Sequence, residues 1–76
     1  MRRALLSQEI AKMNEYECAK AIAKHLGIVG RRGGWLYSPT GKPLFQGWFA
    51  AVVAWKRRGW IHDRSGAWHV DWRKVS

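Results

Sequence analysis

The sequence predicts an α+β fold, a single small domain over residues 1–76 with the order α-β-β-α-β-β. Three observations predict it. The stretch from Leu44 to Trp60 is the longest apolar-periodic run in the chain and ends in Lys56-Arg57-Arg58, which reads as a helix with a basic end. Gly34–Gly41 and Gly59–Gly66 flank it, each running Gly, Trp, branched aliphatic, ring and then a small polar turn closed by Gly, the pattern of a hairpin. Upstream, Asn14 followed by Glu17 forms a capping-box signature just before a second apolar stripe.

Taken in order, residues 2–13 space Leu6, Ile10 and Met13 as a helix, and the stripe then fails at Glu17. Residues 1–13 are therefore expected as a separate short helix, the start of one bent helix, or a frayed terminus. From Glu15 to Leu26 a helix is expected, with Gly27 as its stop. Cys18, Ala19, Ile22, Ala23 and Leu26 share its inner face, with Lys20 and Lys24 opposite. Ile28 and Val29 suit a short strand. Gly30-Arg31-Arg32-Gly33-Gly34 follows as a basic glycine loop, which is either a plain connector or a phosphate contact.

Ser38-Pro39-Thr40-Gly41 fits a type I turn with a bulge glycine. Setting Ser38 opposite Lys42 brings Tyr37 to Pro43 and Leu36 to Leu44. Pro43 cannot donate to a ladder, so its strand belongs at an edge. The central helix is expected to begin near Phe45–Gly47, with Phe45, Trp48, Phe49, Val52 and Trp55 on its core face. Gly47, Ala50, Ala51 and Ala54 then lie opposite, suited to close approach by helix 15–26 or by a ligand backbone; contact with helix 15–26 is the expectation, and it buries both faces. Asp63-Arg64-Ser65-Gly66 is expected to repeat the first turn, with Asp63 facing Ala67. That register places Trp60, His62, Trp68, Val70 and Trp72 on one face, and Ile61, Asp63, Ala67, His69 and Asp71 on the other. Residues 73–76 form a short tail.

Composition narrows the function. Fourteen Lys and Arg stand against five Asp and Glu, a formal charge of +9. The first 26 residues hold five cations and three carboxylates, and the remaining 50 hold nine and two, so the excess sits in the C-terminal two-thirds. Such a field favours a polyanion, nucleic acid or an acidic protein surface. With a single cysteine there is no disulfide framework, and six Trp must help fill a core of this size. No run approaches the roughly 20 apolar residues of a membrane span. Met1–Leu6 lacks the apolar length of a signal peptide, so a cytoplasmic, non-membrane protein is expected.

Catalytic and metal-binding constellations are weak. Cys18 lies on an apolar face, no nucleophile–base pair is recognisable, and no Gly-Lys-Ser/Thr follows the glycine loop. His62 and His69 fall on opposite faces of the expected hairpin and cannot share a metal. The expectation is therefore a non-enzyme without metal or cofactor. What remains is cations interleaved with aromatics. Arg31, Arg32, Lys42, Lys56, Arg57, Arg58 and Arg64 are the candidate phosphate contacts. Trp35, Tyr37, Trp68 and Trp72 are the candidate stacking or interface aromatics.

A helix with a basic end running into a hairpin, over residues 44–73, resembles the last helix and wing of winged-helix DNA-binding domains. The resemblance implies a helix in the major groove and a wing on the backbone. This chain departs from the pattern, because a hairpin precedes the helix and Ala50, Ala51 and Ala54 offer base edges no hydrogen-bonding group. The expected function is a small basic nucleic-acid-binding protein with little sequence specificity, DNA ahead of RNA. The alternative is a protein-binding inhibitor or adaptor of mobile-element type, acting on a nucleic-acid-processing enzyme.

Overall fold

A computed structural model describes residues 14–75. The expectations for residues 1–13 lie outside the described residues. The chain forms α1 (Glu15–Leu26), β1 (Val29–Gly30), a 3-10 turn (Arg32–Gly34), β2 (Trp35–Tyr37), β3 (Pro43–Gln46), α2 (Trp48–Arg57), β4 (Ile61–Arg64) and β5 (Ala67–Val70). Over the described residues this is an α+β fold with two α-helices and two antiparallel sheets, one ordered β1-β2-β3 and the other the hairpin β4-β5.

Local chemistry sets α1. Glu17 N–H donates to Asn14 Oδ1 at 2.8 Å and Asn14 N–H donates to Glu17 Oε1 at 3.2 Å, a complete capping box. At the other end Gly27 takes the left-handed conformation (φ 77°), and Ile28 N–H reaches back to Ala23 O at 2.8 Å. Helix α2 ends in the same way. Gly59 (φ 78°) donates to Lys56 O at 3.0 Å and Trp60 N–H donates to Trp55 O at 2.9 Å. In each case the residue after the glycine turns its apolar side chain back onto the helix. For α2 this stacks Trp60 on Trp55, with ring centroids 6.0 Å apart and planes 15° apart.

The core gathers Cys18, Ala19, Ile22 and Ala23 of α1, Leu36 of β2, Ala51, Val52 and Trp55 of α2, and Ile61 of β4. No polar or charged side chain is buried among the described residues. Residues 71–74 form a turn in which Lys74 N–H donates to Asp71 O at 3.0 Å, and Val75 returns to the core at 5% exposure.

Three sequence-based expectations are corrected. First, α2 starts at Trp48 and Phe45 belongs to β3. Without Phe45 the apolar arc recentres on Trp48, Ala51, Val52 and Trp55, which span about 100° of a wheel with 3.6 residues per turn. Ala51 is thus a core residue, whereas Phe49 points outward with 66% exposure, so α2 is not buried on both faces.

Second, Ser38 does meet Lys42, its N–H donating to Lys42 O at 2.8 Å, and Tyr37 pairs with Pro43, but Leu36 pairs with Phe45. Leu44 is the extra residue of a bulge. The slip brings Phe45 edge-on to Trp55 at 5.4 Å and leaves Leu44 40% exposed.

Third, the second hairpin has a two-residue loop. Ser65 (φ 56°) and Gly66 (φ 78°) are both left-handed, as a type I′ turn requires, and its backbone twist matches that of the strands. Arg64 therefore pairs with Ala67, Asp63 with Trp68 and His62 with His69. A one-residue change of register exchanges faces.

Candidate nucleic-acid interface

The corrected register decides what the second hairpin displays. Buried Ile61 is paired with half-buried Val70, on the same side of the ladder as Asp63 and Trp68. The alternate positions, His62 and Arg64 on β4 and His69 on β5, form the other face. His62 and His69 stand directly opposite, their ring centroids 6.1 Å apart. The expectation that they lie on opposite faces fails because it assumed a longer loop.

Beside this face the turn after β5 supplies Arg73 and Lys74, and the space between is a cleft of about 500 Å³ with Gly59 and Val70 also on its lining. Its charged groups are Arg64, Arg73, Lys74 and one carboxylate, Asp71. Asp71 Oδ1 accepts from Arg73 Nε at 3.3 Å and from the Arg73 backbone N–H at 3.2 Å. The side-chain hydrogen bond from Arg73, helped by the backbone bond and the nearby cations, holds this carboxyl below the usual range for aspartate. Asp71 is thus an anion at neutral pH, and among the described lining residues Arg64, Arg73 and Lys74 set three positive charges against it. The chemistry suits a phosphate, for which the guanidinium forks and the ammonium are donors.

Gly59 shapes the cleft. A Cβ at this position would come within 2.8 Å of Lys74 Nζ. The bare glycine that ends α2 lets the Lys74 side chain lie across it, and so sets Lys74 beside the last turn of the helix.

The sequence-predicted contacts are dispersed. Of the seven candidate cations, Arg64 lines this cleft. Lys56 Nζ lies 2.8 Å from Glu15 Oε2 and 4.7 Å from the centroid of Trp68, which ties α2 to α1 and β5. Arg58 sits 5.3 Å over Trp60. Arg57 is exposed at the helix end. Arg31 covers Tyr37 at 5.0 Å, Arg32 is exposed in the 3-10 turn, and Lys42 is exposed beyond the first hairpin turn.

Among the candidate aromatics, Trp35 is 37% and Trp72 48% exposed, Trp72 meeting His25 edge-to-face at 5.3 Å. Tyr37 and Trp68 are half-buried, each with a cation on one face. Sequence reasoning left His62, His69, Arg73 and Lys74 out of the site. The signal for the two histidines was the Ser65-Gly66 dipeptide, which as a two-residue loop places them opposite each other. Among the described residues no three His, Cys, Asp or Glu side chains group as a metal site, and no helix is long and apolar enough to cross a membrane. No protein-family model, curated protein or solved structure matches the chain significantly.

Proposed function

We propose that the protein is a small nucleic-acid-binding module that grips phosphates with little sequence specificity. The observation that carries this reading is the cleft of about 500 Å³ where Arg64, Arg73 and Lys74 converge beside the facing pair His62 and His69. The formal +9 of the chain adds a long-range attraction for polyanions. Along the middle of α2 the outward positions are Phe49, Ala50 and Val53, which offer base edges no hydrogen-bonding group, and contacts to phosphate alone carry no sequence code.

The test is a titration with labelled nucleic acid at several salt concentrations. Affinity is expected to fall steeply with salt, by about 0.7–0.9 log unit per log unit of salt for each phosphate neutralised. Arg64→Ala with Lys74→Ala should weaken binding across sequences and reduce the slope by about one for each lost contact. Lys56→Ala serves as the contrast. Because Lys56 is committed to Glu15 and Trp68, its loss should lower stability by about 1 kcal/mol or less and leave the slope unchanged. No binding at low salt would sink the reading.

A second reading rests on Phe49, a large apolar side chain 66% exposed on α2. Exposed aromatics near cations suit a protein partner with an acidic surface. A single stoichiometric partner retained from nuclease-treated lysate, and lost on Phe49→Ser, favours this alternative over the first.

A further inference from the structure

A second cavity lies at the end of α2, with Trp55 and Arg58 on its lining. It has a volume of about 350 Å³, within the range of small-ligand sites. Leu26, Ile28, Leu44, Phe45, Trp55 and Trp60 line it, and among the described residues Arg58 is the charged one on the lining. The bulge in β3 builds it, because the slip that pairs Leu36 with Phe45 places both Leu44 and Phe45 on its lining.

Cleft and slot share one short segment. Arg58 and Trp60 line the slot, and Gly59 between them lines the cleft. An aromatic and apolar recess thus lies one residue from a cluster of phosphate-binding cations. That juxtaposition matches the two chemical halves of a nucleotide, a flat apolar base and an anionic phosphate. A paired base in a duplex stays within its stack and reaches a recess only by being flipped out at a cost of a few kcal/mol. Bases of a single strand are already free to leave the stack and to lie against aromatic side chains.

We propose that slot and cleft form one binding path for single-stranded nucleic acid. An unpaired base enters the slot against Phe45 and Trp60, and an adjoining phosphate sits among Arg64, Arg73 and Lys74. Arg58, over Trp60 at 5.3 Å, supplies the N–H donors on the slot lining. Gly59, with no side chain of its own, lets Lys74 Nζ reach the segment between the two sites. This proposal rests on the nucleic-acid reading above and adds to it a preference for unpaired strands.

The test measures fluorescence anisotropy of three labelled ligands at low salt: a short oligothymidine strand, an abasic strand of equal length and charge, and a blunt duplex of equal length. The oligothymidine is expected to bind about tenfold tighter than the abasic strand, the size of one base–aromatic stack. It should also bind tighter than the duplex. Leu44→Gln, a change at an exposed position, should reduce oligothymidine binding several-fold and leave abasic binding as it was. Equal binding of the oligothymidine and abasic strands, or tighter binding of the duplex, would overturn the slot and leave phosphate binding standing. Failure of all three ligands to bind would overturn both. The three-ligand comparison uses the unaltered protein, so it decides the matter even if Leu44→Gln fails to fold.

Discussion

At the scale of single residues, Cys18 illustrates how burial sets chemistry. Its side chain is fully enclosed in α1. Burial pushes the thiol up from its ordinary value, and the charges of Glu17 and Glu15 push the same way. The neutral thiol is the form the fold accommodates, and the thiolate is the nucleophile, so Cys18 should resist alkylation in the folded protein and react on unfolding. A raised folded pKa also has a defined consequence for stability. The contribution is complete below the unfolded thiol value of about 8.5 and is lost as pH rises from there through the folded value. Urea midpoints should therefore fall on the alkaline side, and Cys18→Ala should fall less steeply over the same range. Equal profiles for the two proteins would contradict the assignment. Lys56 makes a different point at this scale. Its place at a helix C-terminus and its charge are readable from the sequence, but its commitment to Glu15, 41 residues away, is not.

At the scale of elements, what is local was legible and what depends on turn geometry was not. Helix α1 follows from Asn14, Glu17 and Gly27, all within one stretch, and the structure keeps the expected bounds. Both hairpins lie where their glycines place them. Their registers differ from expectation, because a bulge or a left-handed residue is chosen by what the side chains meet in the core. Leu44 gives way so that Phe45 can reach Trp55, and Ser65 accepts a positive φ so that Ile61 and Val70 pair above α1. That acceptance costs about 1 kcal/mol for a residue other than Gly or Asn. Ser65→Asn, which suits the first position of a type I′ turn, is expected to raise stability by about 0.5–1 kcal/mol in chemical denaturation with the fold unchanged. A destabilised variant would argue against the turn type.

At the scale of the whole molecule, a core of this size concentrates its stability in few side chains. Trp55 is 2% exposed and meets Phe45 from β3 and Trp60 beyond α2. Truncating a buried Trp to Ala costs about 3–5 kcal/mol, against a total of about 5–15 kcal/mol for a small domain. Trp55→Ala should therefore unfold at much lower urea, with a large part of the population unfolded at 37 °C by circular dichroism. A shift of less than 1 kcal/mol would mean that the core is organised elsewhere. The charge of the molecule was legible as a total, and its concentration in the C-terminal two-thirds was legible too. Its focus at one cleft was not, because Gly59, Arg64 and Lys74 meet only after the hairpin register and the turn at 71–74 are set.

The two-residue turn at Ser65-Gly66 has a consequence for how such a chain can vary. Hairpin tips are ordinarily where insertions and deletions are tolerated. Here a single residue gained or lost at the tip rotates the pairing by one step. His62 and Arg64 would then trade places with Ile61 and Asp63, drawing charge inward and apolar surface outward. Homologous chains that keep this cleft should therefore vary at the tip by substitution and not in length.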